Sequence, residues 1–462
     1  MHAPGAVLLV SCYELGHQPL SLAFPLARLR QAGFEPGAVD TALDTLSDEA
    51  IDAARLVAIA VPMHTALRLG AEIAARVRRR NASAVICCFG LYAWLNAETL
   101  LADTADYVIG GESEEPLVAL AEALAAGEPH PVIPGAGSRG HSAAPSLTRT
   151  DFPAPARDSL PELRRYAHLM DGGRAVVAGY TETTRGCHHT CLHCPVVPLY
   201  HGRFFAIPRA VVLADIRQQV AQGAGHITFG DPDFLNGPTH ALRVCRALHA
   251  EFPQLTFDIT TRIEHILEHP AVITELGTLG CRFAVSAVES VSPLVLERLE
   301  KGHTKEDVVA ALAVLDEAGI AMRPSLLPFT PWTTLDDYLE LLDFIDAHDL
   351  VAHVDPVHLS IRLLVPPSSA LLEREETQRW LGPLDAANYT YTWANPDPRV
   401  DALQRQIARV VEAAARDSED VYDTFAKVRA LTHQAAGLPD PGPARPHGVR
   451  PPPPRLSESW FC

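Results

Sequence analysis

Short apolar runs separated by helical patterns make up the first part of the chain. The runs are AVLLV at 6–10, LVAIAV at 56–61, AVICCF at 84–89 and YVIGG at 107–111. Because these runs are continuously apolar, both faces of each strand should be covered, as in a parallel sheet between two layers of helices. The pattern predicts an α/β domain with a doubly wound parallel sheet over residues 1–128.

A second, longer series of strand and helix patterns covers residues 176–372. Its six predicted strands are AVVAGYTET, HITFGDPD, TFDITTRI, RFAVSAVES, AMRPSLLPF and VHLSIRLLVP. Two intervening helices begin with capping boxes, Thr304 with Asp307 and Thr334 with Asp337. Six β/α units predict a partial (β/α)6 barrel, in which the loops at the carboxyl ends of the strands carry the chemistry.

Three further segments do not follow this alternation. Residues 129–175 are rich in Pro, Gly and Ser, which predicts a linker. Residues 373–436 place apolar side chains at helical spacing and predict a helical extension. Residues 437–462 are dense in proline and predict a disordered tail that ends in Cys462.

The amino-acid composition limits the classes of protein to which the chain can belong. The chain has 462 residues, of which 47% are hydrophobic, and a net charge of −18. Its apolar runs are shorter than the ~18 to 20 residues of a membrane span, and the nine cysteines do not form a secreted disulfide framework. We therefore expect a cytoplasmic protein without a membrane partner, and the acidic surface argues against a nucleic-acid partner.

Three cysteines lie close together after the first predicted barrel strand. Cys187, Cys191 and Cys194 have the spacing C-x3-C-x2-C, with His188, His189 and His193 between them. A zinc ion would need a histidine or a remote residue as its fourth ligand. A c-type haem is excluded because Pro195 follows the last cysteine. Three thiolates would also hold an iron–sulfur cluster with one iron open, so zinc and iron–sulfur readings both stand.

The motif resembles that of the radical SAM enzymes. The resemblance implies a [4Fe–4S] cluster on Cys187, Cys191 and Cys194, with S-adenosylmethionine (SAM) on the open iron. Reduction by a one-electron donor such as flavodoxin or ferredoxin then cleaves SAM to methionine and a 5′-deoxyadenosyl radical. His193 stands where many members carry an aromatic residue, and His188 and His189 are expected to be exposed rather than ligating.

Two later segments strengthen the resemblance. FGDPDFLNG at 229–237 lies where the family places a segment that meets the methionine amino group, which assigns Gly230 and Asp231 to SAM binding, with Asp233 as neighbour. VSAVESVSPLVLERLEKGHT at 285–304 resembles a run common in one branch of the family and assigns Glu289 to the SAM ribose or amino group. From the residues alone, Asp231 could also be a turn residue and Glu289 a solvated strand end.

The N-terminal domain resembles the cobalamin-binding-like domain that precedes many radical SAM barrels. The resemblance rests on Gly111, Glu112 and Glu114 in ADYVIGGESEEPL, a GE-x-E segment between a strand and a helix. The D-x-H-x-x-G segment that supplies a cobalt ligand in some such domains is absent. Cobalamin is a candidate cofactor, and it would lie near residues 12–18, 62–65 and 89–92, at the carboxyl ends of the strands.

The tail reads SESWFC and ends at Cys462. It resembles the CUAEP/CCAEP-tail radical SAM family, in which a similar Trp-Phe pair precedes Cys-Cys-Ala-Glu-Pro or Cys-selenocysteine-Ala-Glu-Pro. We expect a selenoprotein whose reading frame continues past a UGA codon, with Cys462 as a candidate catalytic thiol.

The leading hypothesis is a radical SAM enzyme acting on an unidentified small molecule. The alternatives are a cobalamin-dependent radical SAM methyltransferase and a non-enzymatic, zinc-stabilised binding module.

Overall fold

The first parallel sheet contains the apolar runs at the start of the chain. In the computed structural model, which describes residues 1–148, 151–448 and 450–458, the four runs form β1, β3, β4 and β5, and β2 is an additional strand. The strands are β1 (Val7–Ser11), β2 (Gly37–Asp40), β3 (Leu56–Ala60), β4 (Val85–Phe89), β5 (Tyr107–Ile109) and β6 (Ala136–Ser138). Their order is β2-β1-β3-β4-β5-β6, with only β6 antiparallel.

Helices cover both faces of this sheet. They are α1 (Leu20–Gln31), α2 (Asp48–Ala53), α3 (His64–Arg80), α4 (Leu91–Leu95), α5 (Ala97–Asp103) and α6 (Glu114–Ala125). One face packs α1 and α6 into the main core, and the other packs α2 and α3 into a second core. The strands are buried on both sides, which explains their continuous apolar character. The predicted doubly wound sheet is confirmed.

The second sheet is a curled half-barrel. Its elements are β7 (His168–Asp171), β8 (Arg174–Thr181), β9 (Thr184–Gly186), α7 (Val197–Tyr200), β10 (Phe204–Ala206), α8 (Arg209–Ala221), β11 (His226–Phe229), α9 (Pro238–Glu251), β12 (Thr256–Thr261), α10 (Ile263–Glu268), α11 (Pro270–Thr278), β13 (Cys281–Glu289), α12 (Pro293–Arg298), α13 (Lys305–Glu317), β14 (Ala321–Leu326) and α14 (Leu335–Ala347). Strands β8, β11, β12, β13 and β14 are parallel, and β9 pairs with β10 in a small separate hairpin. Both predicted capping boxes are confirmed, at the starts of α13 and α14.

The partial barrel is confirmed, but its sixth strand is not. The segment VHLSIRLLVP contains a 3-10 turn at Pro356–Leu359 and a single parallel bridge between Phe329 and Arg362. Pro328, Pro331 and Pro366 flank the two bridged segments, and proline cannot donate to a strand ladder. The apolar run of the sixth predicted strand therefore forms a single β-bridge and not a full strand.

The segment predicted as a linker contributes to both sheets. Within 129–175, β6 extends the first sheet and β7 extends the second. Between them, the fully buried Arg157 donates to Asp215 Oδ1 at 2.5 Å, to Gln18 Oε1 at 2.8 Å and to the Tyr180 carbonyl at 2.7 Å. This one guanidinium connects the loop after β1 with β8 of the second sheet. A segment whose composition predicts a linker therefore forms a buried contact between the two parts of the molecule.

The C-terminal region adds a hairpin, two long helices and an edge strand. These are β15 (Leu381–Asp385), β16 (Thr390–Trp393), α15 (Pro398–Asp417), α16 (Val421–Ala436) and β17 (Arg455–Leu456). The predicted helical region is confirmed by α15 and α16. Within the segment for which the sequence predicts disorder, β17 pairs antiparallel with β7, and Arg323 donates to the Pro454 carbonyl. In the described ranges, no helix is both long and apolar enough to cross a membrane.

Candidate active site

The three cysteines lie on one loop after β9. Cys187 and Cys191 are buried, Cys194 is half-buried, and all three are free thiols. Gly186 precedes the loop with a φ of +79°, and a side chain there would meet the Arg203 carbonyl oxygen at 2.5 Å. The backbone N–H of Cys194 donates to the Cys191 carbonyl at 3.1 Å, which closes the loop. The fold therefore brings the three predicted ligands together.

The thiols are largely buried close to one another, and those of Cys187 and Cys194 keep their protons in the absence of a metal. Burial, with a smaller contribution from neighbouring thiols, raises the pKa of Cys187 to about 11 and that of Cys194 to about 12. Arg262 Nη1 donates to Cys191 Sγ at 2.6 Å. Thiolates buried together need positive charge, and a metal centre supplies it when it displaces their protons. This donor set fits an iron–sulfur cluster.

Glu289 lies at the end of β13 in a strained conformation. Its φ is +61°, a left-handed value that is unusual for a residue with a side chain. Its Oε1 lies 3.4 Å from Lys301 Nζ and 3.3 Å from His193 Nε2. Burial alone would raise the pKa of Glu289, but Lys301 and His193 outweigh it and lower the pKa to about 2. Glu289 is therefore an ionised, buried carboxylate.

Asp231 is hydrogen-bonded to Thr183 and Thr184 through its side chain. Its carboxylate accepts hydrogen bonds from the backbone N–H of Thr183 at 2.9 Å, from Thr183 Oγ1 at 2.7 Å and from Thr184 Oγ1 at 2.6 Å. Burial raises the pKa of Asp231 to about 6, although these hydrogen bonds lower it. The structure places Asp231 as a clamp between the end of β11 and the segment before the cysteine loop.

Gly230 allows a close approach between two segments. A side chain at this position would lie 1.9 Å from the hydroxyl oxygen of Tyr180. The predicted site residues Gly230 and Asp231 thus shape the loop after β11, while Glu289 presents a charged group after β13.

A cleft of about 300 Å³ lies between the two sheets. Its lining includes residues of all three loops predicted to meet cobalamin, among them His17, Met63 and Leu91, and Gly230 closes it from the barrel side. The cleft therefore opens at the carboxyl ends of β1, β3 and β4. Its volume is at the lower limit of small-molecule pockets.

The GE-x-E segment binds directly to the residue two positions before the first cysteine. Arg185 Nη1 lies 2.9 Å from Glu112 Oε2 and 2.8 Å from Glu114 Oε1. The guanidinium also lies over the rings of Phe24 and Phe152, at 4.6 and 5.0 Å from their centroids. The N-terminal domain therefore supports the cysteine loop through one half-buried cation.

The sequence interpretation gave no role to Arg185, Arg262 or Lys301. Arg185 lies two positions before Cys187, Arg262 lies in TFDITTRI and Lys301 in the run 285–304, so a cation close to a predicted ligand or strand end was the available signal.

The histidines of the loop have different environments. His188 is exposed, as expected. The expectation that His189 is exposed is wrong, because its side chain is only 20% exposed and its Nε2 lies 3.2 Å from Asp233 Oδ2. Cys462 lies outside the described residues, so the tail thiol stays a prediction.

Comparison with known proteins identifies the domain that contains these residues. Residues 181–345 match the sequence model of the Radical SAM superfamily. The matched range includes the three cysteines, Gly230, Asp231 and Glu289. A tRNA-2-methylthio-N(6)-dimethylallyladenosine synthase of Chlorobium chlorochromatii is 28% identical over 151 residues, which are 30% of this chain and 32% of that protein. The chain thus spans about a third of the length of this curated relative.

Two solved structures share the fold over nearly the whole chain. The cobalamin-dependent SAM radical enzyme OxsB, with aqua-cobalamin bound, has a TM-score of 0.72 at 15% identity, covering 93% of this chain and 73% of its own. The radical SAM methyltransferase TsrM of Kitasatospora setae, with cobalamin and a [4Fe–4S] cluster bound, has a TM-score of 0.68 at 16% identity, covering 94% of this chain and 99% of its own. At such identities the likeness is one of fold, and it confirms the predicted fold class.

Proposed function

We propose that Cys187, Cys191 and Cys194 hold a [4Fe–4S] cluster at which SAM is reductively cleaved. The chain carries the radical SAM domain of an enzyme superfamily. When bound, the cluster supplies the electron that splits SAM into methionine and a 5′-deoxyadenosyl radical. The radical would act on a small molecule that remains to be identified. The observation that carries the proposal is three free thiols on one loop, one of them bonded to the buried guanidinium of Arg262, within residues 181–345.

Glu289 is the residue proposed to contact SAM. Lys301 and His193 both contact its Oε1. Its Oε2 is then the oxygen available to accept a hydrogen bond from the SAM ribose or amino group. Because Lys301 keeps the carboxylate ionised, the acceptor is charged when SAM arrives, and charge-assisted hydrogen bonds are the stronger kind.

Gly230 and Asp231 are proposed to shape the SAM site from the other side. Since the Asp231 carboxylate is already bonded to Thr183 and Thr184, we assign it a positioning role for the loop. The absence of a side chain at Gly230 lets Tyr180 approach.

The proposed partners are a small-molecule substrate and a one-electron reductant such as flavodoxin or ferredoxin. The cleft of about 300 Å³ supports a small substrate, and the net charge of −18 supports a partner other than nucleic acid.

The test is anaerobic reconstitution with iron and sulfide. The wild-type protein should bind about four iron atoms, turn brown and release 5′-deoxyadenosine from SAM under a strong reductant. Cys191→Ala should lose both the cluster and SAM cleavage. Cys245→Ala is the matched control, because Cys245 is buried in α9 away from the loop, and it should retain both. Stoichiometric zinc in a colourless wild-type protein would support the zinc-stabilised binding module instead.

A second candidate function is a cobalamin-dependent radical methyltransferase. The fold similarity to cobalamin-bound OxsB and TsrM favours it. A corrinoid is larger than a cleft of about 300 Å³, so the loops would have to separate to admit it. Protein produced with cobalamin should carry corrinoid absorbance through gel filtration if this candidate is correct.

The tail proposal rests on sequence resemblance alone. Cys462 would act as a soft nucleophile, paired with a selenocysteine encoded after it. The gene should continue with UGA and codons for Ala-Glu-Pro, and any other codons would refute the idea.

A further inference from the structure

Three metal-ligating side chains meet beside the cysteine loop without being part of the cluster motif. They are His189 from that loop, Asp233 from the loop after β11, and His265 from α10. Asp233 Oδ2 lies 3.2 Å from His189 Nε2 and 2.8 Å from His265 Nδ1, and the three atoms all lie within 4.8 Å of one another.

These atoms converge as two ion pairs that lack hydrogen-bond geometry. Both N–O distances are within ion-pair range, so a protonated imidazole would partly balance the carboxylate, but neither contact is a well-directed hydrogen bond. Asp233 Oδ2, His189 Nε2 and His265 Nδ1 are therefore buried without a hydrogen-bond partner among the described residues. Asp233 itself is fully buried. Three ligand-type atoms within 4.8 Å of one another, none of them in a well-formed hydrogen bond, point to a ligand between the three groups.

The carboxylate of Asp233 is already oriented for such a ligand. Its other oxygen, Oδ1, accepts hydrogen bonds from the Leu235 backbone N–H at 3.2 Å and from Thr261 Oγ1 at 3.1 Å. Supporting hydrogen bonds of this kind fix the direction of a metal-ligating carboxylate. They leave Oδ2 aimed between the two imidazoles.

We propose that His189, Asp233 and His265 bind a divalent transition-metal ion, Zn²⁺ or Fe²⁺, at a second site beside the cluster loop. Two imidazoles and one carboxylate suit these ions, whereas Mg²⁺ and Ca²⁺ prefer oxygen ligands. Ligands at normal zinc distances lie roughly 3.4 Å apart in a tetrahedron. The two carboxylate–imidazole spacings of 3.2 and 2.8 Å are somewhat shorter, so binding of the ion would require a small outward shift of the side chains. The ion would connect the cysteine loop with the ends of β11 and β12.

The site has a route for the ion and an open coordination position. The His189 side chain is 20% exposed and that of His265 10% exposed, so solvent reaches the imidazole edge of the trio. Three protein ligands leave at least one position for water or another small ligand. The site does not require SAM chemistry, so it is independent of the proposed function.

The test measures zinc binding in two forms of the protein. Cluster-loaded wild-type protein is dialysed anaerobically against Zn²⁺, and zinc and iron are counted by mass spectrometry. About one zinc per chain should be retained with the iron content unchanged. Asp233→Asn and His265→Gln should lose the zinc. His188→Gln, at an exposed histidine of the same loop, is the matched control and should keep it.

The second form separates this site from the cysteines. A variant with Cys187, Cys191 and Cys194 all changed to Ala cannot hold metal on thiols, yet it should still bind one Co²⁺ with visible d–d absorption. Zn²⁺ should raise the melting temperature of this variant, but not after His265→Gln is added, because a ligand stabilises only the state that binds it. Absence of zinc from the cluster-loaded wild type, or equal zinc in His265→Gln and His188→Gln, would overturn the proposal.

Discussion

Asp231 and Glu289 occupy matching positions in the half-barrel but have opposite electrostatic surroundings. Each follows or ends a parallel strand at the same edge of the sheet, and both are largely buried. The pKa of Asp231 is raised to about 6, mainly by burial, whereas that of Glu289 is lowered to about 2 by Lys301 and His193 in spite of burial.

The difference lies in the groups that contact each carboxylate. Asp231 receives a backbone N–H and two hydroxyl groups, which hold it but carry no net charge. Glu289 faces an ammonium and an imidazole across 3.4 and 3.3 Å. A position at a strand end is therefore not enough to define a cofactor contact, since the neighbours decide whether an acid is a structural clamp or an available anion.

Removing Lys301 should give the largest effect. Lys301→Met leaves Glu289 buried without its cation, and breaking a buried pair costs about 3 kcal/mol or more of unfolding free energy. SAM cleavage should be lost as well. Lys305→Met is the matched control, because its pair with Glu340 is exposed and should change stability by less than about 1 kcal/mol. Chemical denaturation of both variants compares the two, and equal losses would contradict the assignment.

Removing the Asp231 carboxylate should affect the fold more than the chemistry. Asp231→Ala leaves the three donors of Thr183 and Thr184 buried and unpaired, which should cost about 2 kcal/mol. Asp231→Asn keeps an acceptor oxygen and should cost less. For Asp231→Asn we expect SAM cleavage within tenfold of wild type. Complete loss of cleavage with a normal melting temperature would instead make Asp231 a direct SAM contact.

The pH dependence of stability should have opposite signs at the two carboxylates. The pKa of Asp231 rises from 3.8 to about 6 on folding, so between these values the folded state keeps a proton that the unfolded state releases. Its contribution therefore falls as pH rises from about 4 to about 6, by at most ~1.4 kcal/mol per pH unit. The pKa of Glu289 falls from 4.5 to about 2, so its contribution is lost as pH falls through that range.

Unfolding free energies of the apoprotein measure this difference. The difference in unfolding free energy between wild type and Asp231→Asn should decrease as pH rises from 4 to 6. The difference between wild type and Glu289→Gln should decrease as pH falls below 4.5. Parallel curves for the two variants would contradict the comparison.

Removing His193 should give the smallest effect. His193→Ala deletes one contact at 3.3 Å to Glu289 Oε1 while Lys301 remains, so a loss of about 1 kcal/mol is expected. The KM for SAM should rise less than tenfold with little change in kcat. A loss as large as that of Lys301→Met would show that the imidazole contributes as much as the ammonium to keeping Glu289 ionised.

Local patterns were sufficient for the main strands and the capped helices, and they also select the three cysteines proposed as cluster ligands. Continuous apolar runs predict parallel strands because each buried strand must be apolar on both faces, and the capping boxes depend on residues three positions apart. The spacing of Cys187, Cys191 and Cys194 lies within eight residues of one loop, so three soft ligands could be read without knowing the fold.

Contacts between distant segments required the tertiary structure. Strands β6, β7 and β17 lie in segments for which the composition predicts a linker or disorder. They form because they pair with sheets that local composition does not reveal. Arg262 beside Cys191 and His265 beside His189 join residues more than 70 positions apart, and Lys301 meets Glu289 only because the chain turns back between them. Electrostatic and metal-binding roles depend on distances of a few ångströms, and folding alone sets those distances for residues that are not sequence neighbours.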